Sequence, residues 1–473
     1  MARGLGRATN SVVSAARKIA FEAMRRVEAD GAYASDVLHA ELGRGISAAD
    51  AALATELTLG VLRQRGLLDF LLERLLQKPV GRLDLAVALA LRMGLYQLRF
   101  LRRIPARAAV NESVELVKRA RKASAAALVN AVLRKAADEV EQAAETFLAP
   151  DAPRSTRLSI LHSHPQWMVE RWLAAFGDTR TLTLLEANNR APRVSIALRD
   201  PRRRDQVVRE LTAAGLEVED AELLNTALRV KGGSVARSAA FLEGRISIQD
   251  EASQAIPLLL QVKPGSHVLD LCAAPGGKTS PLARAACPGG LVVAADLHGH
   301  RLRAMSEQLE RAGSQNVRLV QLDASNVLPF ASGFDRILAD VPCSGTGTLA
   351  RHPEIRWRLR PEQINEFHEL QVAILNRAAD FLAPGGRLVY STCSLEPEEN
   401  EEVVAESLAR NRSLRRVSPT ETENLLKPHL VPHARAASLV DESGYFRTVP
   451  GQQRTDGFFA AVLEKNRTEA DRT

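Results

Sequence analysis

The chain has 473 residues, 45% of them apolar and 25% charged, which is too long for one hydrophobic core and too apolar for a disordered chain, so two to four domains are expected. Four cysteines without regular spacing exclude a disulfide framework and fit a reducing, cytoplasmic compartment; apolar runs such as Leu85 to Leu91 are cut by arginine well short of a membrane span. The formal charge of +7 lies wholly in the first third, where residues 1–150 hold 23 Lys and Arg against 16 Asp and Glu, while the remainder holds 40 of each.

A basic front and a neutral remainder suggest phosphate attraction by one and chemistry by the other, with a solvated basic surface as the plain alternative. Arg3, Arg7, Arg17 and Lys18 open the chain without an acid, as a transit peptide would, yet they run into a pattern containing Glu22 and Glu28, so a folded helix is expected. From Ser11 to Ala143 apolar residues recur at three and four, punctuated by Gly31, Gly66, Pro79 and Pro105, which predicts an all-α domain over 1–150. Within it Lys118, Arg119, Arg121 and Lys122 stand beside Leu128, Val129, Val132 and Leu133, so one face can pack while the other meets phosphates or solvent.

Pro150 and Pro153 mark a linker between Phe147 and Arg157. A small α+β domain is expected over 155–250, with a helix at Trp167 to Phe176 and another near Arg204 to Ala214. Its short strands are expected at Val194 to Leu198, Leu216 to Val218, Ala227 to Val230 and Ile246 to Ile248. From about Val262 apolar strands alternate with helices: His267 to Leu271, Leu291 to Ala295, Val317 to Gln321, Arg336 to Ala339 and Arg387 to Tyr390. That rhythm predicts a parallel sheet covered on both faces over 251–466, with further strands near Phe446 and at Gly457 to Leu463, then a polar tail over 467–473.

The first of these strands runs into Asp270-Leu271-Cys272-Ala273-Ala274-Pro275-Gly276-Gly277-Lys278-Thr279, a small-residue loop through which a backbone can approach a ligand. A phosphate-binding P-loop would need glycine at position 272, which is Cys272, and no Gly-x-Gly-x-x-Gly is present, so neither a Walker motif nor a nicotinamide site is supported. Asp296, Asp323 and Asp340 close three more strands; singly each reads as a helix cap, but in register with the loop they outline a nucleoside pocket. Cys343 and Cys393 follow two strand-like runs at the same edge, where a thiol can act as a nucleophile. Cys272 and Cys287 read as structural thiols, and no Cys-x-x-Cys or matched histidine spacing suggests zinc. His298 and His300 read as surface residues.

Cys272 to Thr279, Asp340 to Cys343 with Ser344-Gly345-Thr346-Gly347, His352-Pro353-Glu354, and Tyr390 to Ser394 with Glu398-Glu399-Asn400 together resemble the RNA cytosine-C5 methyltransferase family, most specifically its bacterial RsmB (Sun/Fmu) branch. The resemblance covers nearly the whole chain. It implies a NusB-like helical RNA-binding domain, an RRM-like middle domain and a Rossmann-like catalytic domain that uses S-adenosyl-L-methionine on 16S rRNA. Carried over residue by residue, it makes Cys393 the nucleophile and Cys343 the thiol that assists release. It also makes Cys272, Ala273, Ala274, Pro275, Gly276, Gly277 and Lys278, with Asp296, Asp323 and Asp340, the cofactor-binding positions. The expected partner is 16S rRNA, either protein-poor or in an unassembled small subunit, and the expected protein is a cytoplasmic monomer without metal or membrane.

The chemistry asks for these residue types independently. Carbon 5 of cytosine is a poor nucleophile, and a soft thiolate adding at carbon 6 creates the electron density that can attack an electrophilic methyl. Charge then develops towards N3 and O2, where a proton donor such as Asp340 lowers the barrier; Cys343 or a water removes the carbon-5 proton. The target must be unstacked to be reached. Arg351, His352, Arg356, Trp357 and Arg358 read either as a base-stacking phosphate clamp or as a packed tryptophan among solvated arginines. The same chemistry on tRNA or 23S rRNA, and a non-catalytic RNA-binding assembly or antitermination factor, are the competing readings.

Overall fold

The structure, a computed structural model, describes residues 13–42, 45–331 and 333–467. Arg3, Arg7 and residues 468–473 of the expected polar tail lie outside the described residues. The chain divides into two compact units, residues 1–190 with 349–358, and residues 191–348 with 359–473.

The first unit is helical: α1 (Ala15–Asp30), α2 (Ala34–Leu42), α3 (Ala48–Leu76), α4 (Leu85–Phe100), α5 (Ala106–Arg119), α6 (Ala126–Asp138), α7 (Arg154–Leu161) and α8 (Gln166–Asn188). Ser47 accepts from the Asp50 amide to start α3, and Asp84 accepts from the Ala86 amide to start α4, satisfying amides that a helix leaves unpaired. α4 is buried continuously from Val87 to Gln97, as expected of a helix that is apolar all round. Its one buried cation, Arg92, is neutralised by Asp69 at 2.7 Å and Glu28 at 2.9 Å, because a charge inside a core persists only when paired.

Two parts of this unit come from beyond residue 150. α7 and α8 pack with the helices, burying Leu158, Met168, Val169 and Trp172. Pro153 stands at the N-cap of α7; a proline ends one helix and starts the next without saying what the next packs upon. The segment Leu349–Arg358 also packs within this unit. Arg356 is fully buried and donates to the carbonyls of Ser163 (2.9 Å) and Asn188 (3.1 Å) and to Asn189 Oδ1 (2.9 Å). Trp357 Nε1 donates to Leu62 O at 2.8 Å, and Arg358 donates to Gly31 O and Val27 O. Trp357 is packed, as the second alternative had it, but Arg356 is buried rather than solvated. The donors named here go to main-chain carbonyls and the Asn189 side chain, not to a phosphate.

The second unit carries two sheets. The smaller comprises β1 (Val194–Leu198), β2 (Glu217–Asp220), β3 (Ala227–Lys231) and β4 (Ile246–Ile248), antiparallel in the order β2-β3-β1-β4, with helix α9 (Arg204–Ala213) packed through Val207 and Leu211 on Ile196, Leu228 and Val230. The larger has eight strands: β5 (His267–Leu271), β6 (Leu291–Asp296), β7 (Val317–Gln321), β8 (Phe334–Asp340), β9 (Leu382–Thr392), β10 (Leu414–Arg416), β11 (Phe446–Thr448) and β12 (Phe458–Lys465). Their order is β10-β12-β9-β8-β5-β6-β7, with β11 beside β12. β5 to β9 are parallel and β12 runs antiparallel against β9. This is the three-part architecture expected from the sequence: helical front, small α+β module, Rossmann-like sheet.

One apolar cluster runs from Leu223 and Leu224 through Ile256 and Leu259 to Val268 and Val389, so the module and the large sheet share a core. At its edge the buried Glu251 accepts from the Leu223 amide at 2.7 Å and from the buried Arg229 at 3.0 Å. Among the described residues no helix is long and apolar enough to cross a membrane.

Candidate active site

Chain order fixes where a ligand can bind. After β5 the chain builds outward through β6 and β7, then returns to the other side of β5 with β8 and β9, leaving a crevice at the carboxyl ends of β5 and β8. Open α/β sheets bind ligands at such a switch point.

The loop after β5 is shaped for close approach. Cys272 takes φ 59° and Gly276 φ +100°, and a Cβ on Gly276 would stand 3.0 Å from Met305 Cγ, so only glycine lets the backbone turn there without strain. Asp296, at the end of β6, accepts from the Ala274 amide at 3.2 Å and the His298 amide at 3.0 Å and pairs with Arg301 at 3.1 Å; it is thereby clamped to the loop. Asp340, ending β8, accepts from Lys278 Nζ at 2.6 Å and from Ser391 Oγ at 2.7 Å. Lys278 also stands 5.2 Å from the centre of the Phe458 ring. Asp323 lies two residues beyond β7, where it accepts from Ser325 N at 2.9 Å and Ser325 Oγ at 2.6 Å. The structure thus brings Lys278, Asp296 and Asp340 onto the loop, while the Asp323 carboxylate closes its own turn.

Cys343 and Cys393 meet because their strands are neighbours. β8 and β9 pair in register with Asp340 opposite Ser391, so a residue three beyond Asp340 and one beyond Thr392 emerge at the same edge, with the two Sγ atoms 3.3 Å apart. The hydrogen bond to Cys393, then burial and the neighbouring charges, raise the Cys343 pKa well above that of an ordinary thiol. Cys343 therefore keeps its proton, and either sulfur can act as donor in the contact. Burial, followed by Asp340, Asp296 and Asp270, also raises the Cys272 thiol. Cys287, expected as a structural thiol, is instead exposed: it terminates the short helix Thr279–Ala286 on its outer side. His298 and His300 are exposed as expected and stack on each other.

Two carboxylates that the sequence reading did not single out lie under this edge. Glu399, wholly buried, accepts from Ser344 N at 2.8 Å, Gln371 Nε2 at 2.9 Å and Ser394 Oγ at 2.6 Å, and also from Ser344 Oγ. It ties the residue after Cys343 to the residue after Cys393. The same loops touch through Gly347, whose amide donates to Cys393 O at 2.9 Å; a Cβ there would stand 2.3 Å from Gly457 O. Asp270, on β5, is buried with a single donor, Thr279 Oγ1 at 2.6 Å, and its Oδ1 has no hydrogen-bond partner. Burial pushes its pKa up to about 7. A usable signal existed for Asp270, an acid at an otherwise apolar strand position. None separated Glu399 from Glu396 and Glu398.

Comparison with known proteins agrees with this architecture. The family model described as 16S rRNA methyltransferase RsmB/F matches residues 257–464, the NusB family model matches 14–138, and the RsmF/B-like ferredoxin-like domain matches 164–236. The probable ribosomal RNA small subunit methyltransferase B of Bacillus subtilis is 32% identical over 95% of this chain and 98% of its own length. The ribosomal RNA small subunit methyltransferase B of Pseudomonas putida is 35% identical over the same shares. The solved structure of PH0851 superposes with a TM-score of 0.79 at 28% identity, covering 95% of this chain and 98% of that one. Full-length identity above 30%, three matching domain models in the same order and a matching fold lead to one conclusion: the chain belongs to the RsmB/F family of 16S rRNA methyltransferases.

Proposed function

We propose that this chain methylates carbon 5 of a cytosine in 16S rRNA through a covalent bond between Cys393 and carbon 6 of the base. S-Adenosylmethionine, when bound, supplies an electrophilic methyl on a sulfonium centre. The residues present fit it: Asp270, Asp296 and Asp340 lie close enough for the other two to raise Asp270, and Asp270 Oδ1 is unpartnered, which suits a ligand carrying a sulfonium, an ammonium and a ribose diol. The loop Cys272 to Lys278 with Asp296, Asp323 and Asp340 is assigned to hold it.

Cys393, as thiolate, adds to carbon 6. Asp340 and its partner Lys278 face the developing charge at N3 and O2, one orienting and the other offsetting it. Cys343 holds a proton at its sulfur while Cys393 is free, because the hydrogen bond to Cys393 is the largest cause of its raised pKa. Once Cys393 is bonded to carbon 6 that cause and the Cys393 charge disappear, so Cys343 loses its proton to solvent water more readily and stands as a thiolate. It is then the base, directly or through a water, that takes the carbon-5 proton as the sulfur–carbon bond breaks. The observation that carries this reading is the 3.3 Å approach of the two sulfurs past the carboxyl ends of β8 and β9, beside the switch point. The proposed setting is the cytosol.

The test uses wild type, Cys393→Ala and Cys343→Ala with labelled S-adenosylmethionine and protein-free 16S rRNA. Cys393→Ala should transfer no methyl, and Cys343→Ala should accumulate a protein–RNA adduct that survives denaturation. Methylation by Cys393→Ala removes it from the nucleophile role; label found only in tRNA or 23S rRNA rejects the substrate. A wild type that binds RNA but transfers nothing returns the chain to the non-catalytic reading.

A further inference from the structure

Outside the first third the chain is balanced, with 40 cationic and 40 anionic residues, yet the fold gathers cations along one seam of the second unit, where the small sheet meets the large one. A depression of about 510 Å³ is lined by Arg199, Arg202, Arg203, Arg245 and Arg284, with Asp200 as its one acid. A second, of about 360 Å³, shares Arg199 and Arg284, adds Arg311, and reaches Gly277 of the loop assigned to the cofactor and Ser280 of the helix after it. A third, of about 650 Å³, again shares Arg199 and Arg284, adds Arg318, and runs past Gly289 and Gly290 towards the start of β6. Neither the second nor the third has an acidic lining residue.

Some of these cations are already spent. Arg202 pairs with Asp200 at 2.9 Å, Arg245 with Glu210 at 2.6 Å and Glu243 at 2.8 Å, and Arg311 lies over the Phe241 ring at 4.5 Å. Among the described residues Arg199, Arg203 and Arg284 make no salt bridge, and Asp200 acts on Arg203 and Arg284 only at longer range. Arg199 is nevertheless placed: a Cβ on Gly313, which takes φ +62°, would stand 2.8 Å from its Nη2, so the guanidinium lies against bare backbone. Desolvation and then the like charge of Arg199 lower the Arg284 pKa, with Asp200 only partly opposing them. Two guanidinium groups so incompletely offset repel each other, and an anion between them relieves both. Guanidinium forks match phosphate oxygens bidentately, and the lining presents no Phe, Tyr or Trp face on which a base would stack.

We propose that this seam is a phosphate track, in which Arg199, Arg284 and Arg203 engage successive phosphodiesters of the RNA strand flanking the target nucleotide without reading its bases. The inference rests on the reading above that the substrate is RNA. It adds a binding surface in the charge-neutral part of the chain, apart from the basic helical front.

The test is fluorescence anisotropy of a single-stranded oligouridylate with the full-length chain across a salt series. Arg199→Gln/Arg284→Gln should bind about tenfold or more weakly, and its slope of log affinity against log salt should fall by about 1.4, since each lost single-strand phosphate contact removes about 0.7. In methyl transfer the KM for RNA should rise while kcat and the KM for S-adenosylmethionine hold. Arg199→Lys/Arg284→Lys should keep the slope, because an ammonium still displaces a counter-ion. Arg377→Gln/Arg410→Gln removes the same charge from arginines paired elsewhere with Asp380 and Glu406 and should change little.

An unchanged slope in the first variant, an equal loss in the Arg377/Arg410 variant, or competition by polyglutamate as effective as by RNA overturns the track while leaving the RNA reading intact. A wild type that binds no RNA overturns both.

Discussion

Glu399 and Asp270 are the same functional group, buried under the same sheet edge, and they are treated in opposite ways. Glu399 receives four donors from Ser344, Gln371 and Ser394, filling the acceptor capacity of an ionised carboxylate. Asp270 receives one and leaves an oxygen unpartnered. Burial raises both carboxyl groups, but around Glu399 the donors oppose it: a saturated buried carboxylate serves as a brace, whereas an undersupplied one keeps spare capacity for a ligand. Removing the brace should give the larger effect. Glu399→Ala strands buried donors on both cysteine loops, each costing about 1–3 kcal/mol, and leaves a cavity. A loss of about 3–5 kcal/mol is expected in urea denaturation, with kcat for methyl transfer falling about 100-fold, as misplacing reacting groups by an ångström does. Wild-type stability and kcat in Glu399→Ala would remove the brace.

Asp270 should reveal itself through pH instead. Its pKa is about 7 in the folded chain against 3.8 ordinarily, so between about pH 4 and pH 7 the folded state binds a proton that the unfolded state has lost. Stability from this group is therefore full below pH 4, declines as pH rises to 7, and is flat above. The shift corresponds to about 4 kcal/mol at most. Asp270→Asn does not titrate, so its stability relative to wild type should climb from pH 4 to pH 8. Denaturation midpoints of the two proteins measured at both pH values decide it; curves that stay parallel contradict the assignment of a near-neutral proton to Asp270.

The contrast between these two residues also marks how far sequence alone reaches. β5 and β7 fall where expected because each is an apolar run bounded by breakers, and the alternation with helices identifies the sheet class. β10 was not foreseen: Leu414-Arg415-Arg416 has no strand pattern of its own and exists because β12 offers it an edge. Cys343 and Cys393 could be seen to end strands, but their 3.3 Å approach depends on β8 and β9 being neighbours, which is a property of sheet order. Asp296 and Asp340 were legible as strand-end acids; their partners Arg301, Lys278 and Ser391 come from other elements. Among Glu396, Glu398 and Glu399 only the short turn Pro397–Glu399 decides which reaches Ser344. The arginine seam was invisible for a similar reason, since its cations come from positions 199–203, 245, 284 and 311–318, and a count along the chain averages them away.

The brace can be trimmed as well as removed, and the smallest expected effect sharpens the comparison most. Gln371 Nε2 donates to Glu399 Oε2 and to Pro342 O, both at 2.9 Å, while its Oε1 has no partner. Gln371→Met keeps the volume, deletes two hydrogen bonds and relieves one orphaned acceptor. Each bond lost is worth about 1 kcal/mol net, and the relieved acceptor returns a similar amount. A net loss of about 1 kcal/mol is therefore expected in urea denaturation, with Ser344 and Ser394 still holding the cysteine loops and kcat within about threefold of wild type. If Gln371→Met instead costs as much as Glu399→Ala, the four donors act as one cooperative network and Glu399 cannot be treated as a sum of separable contacts.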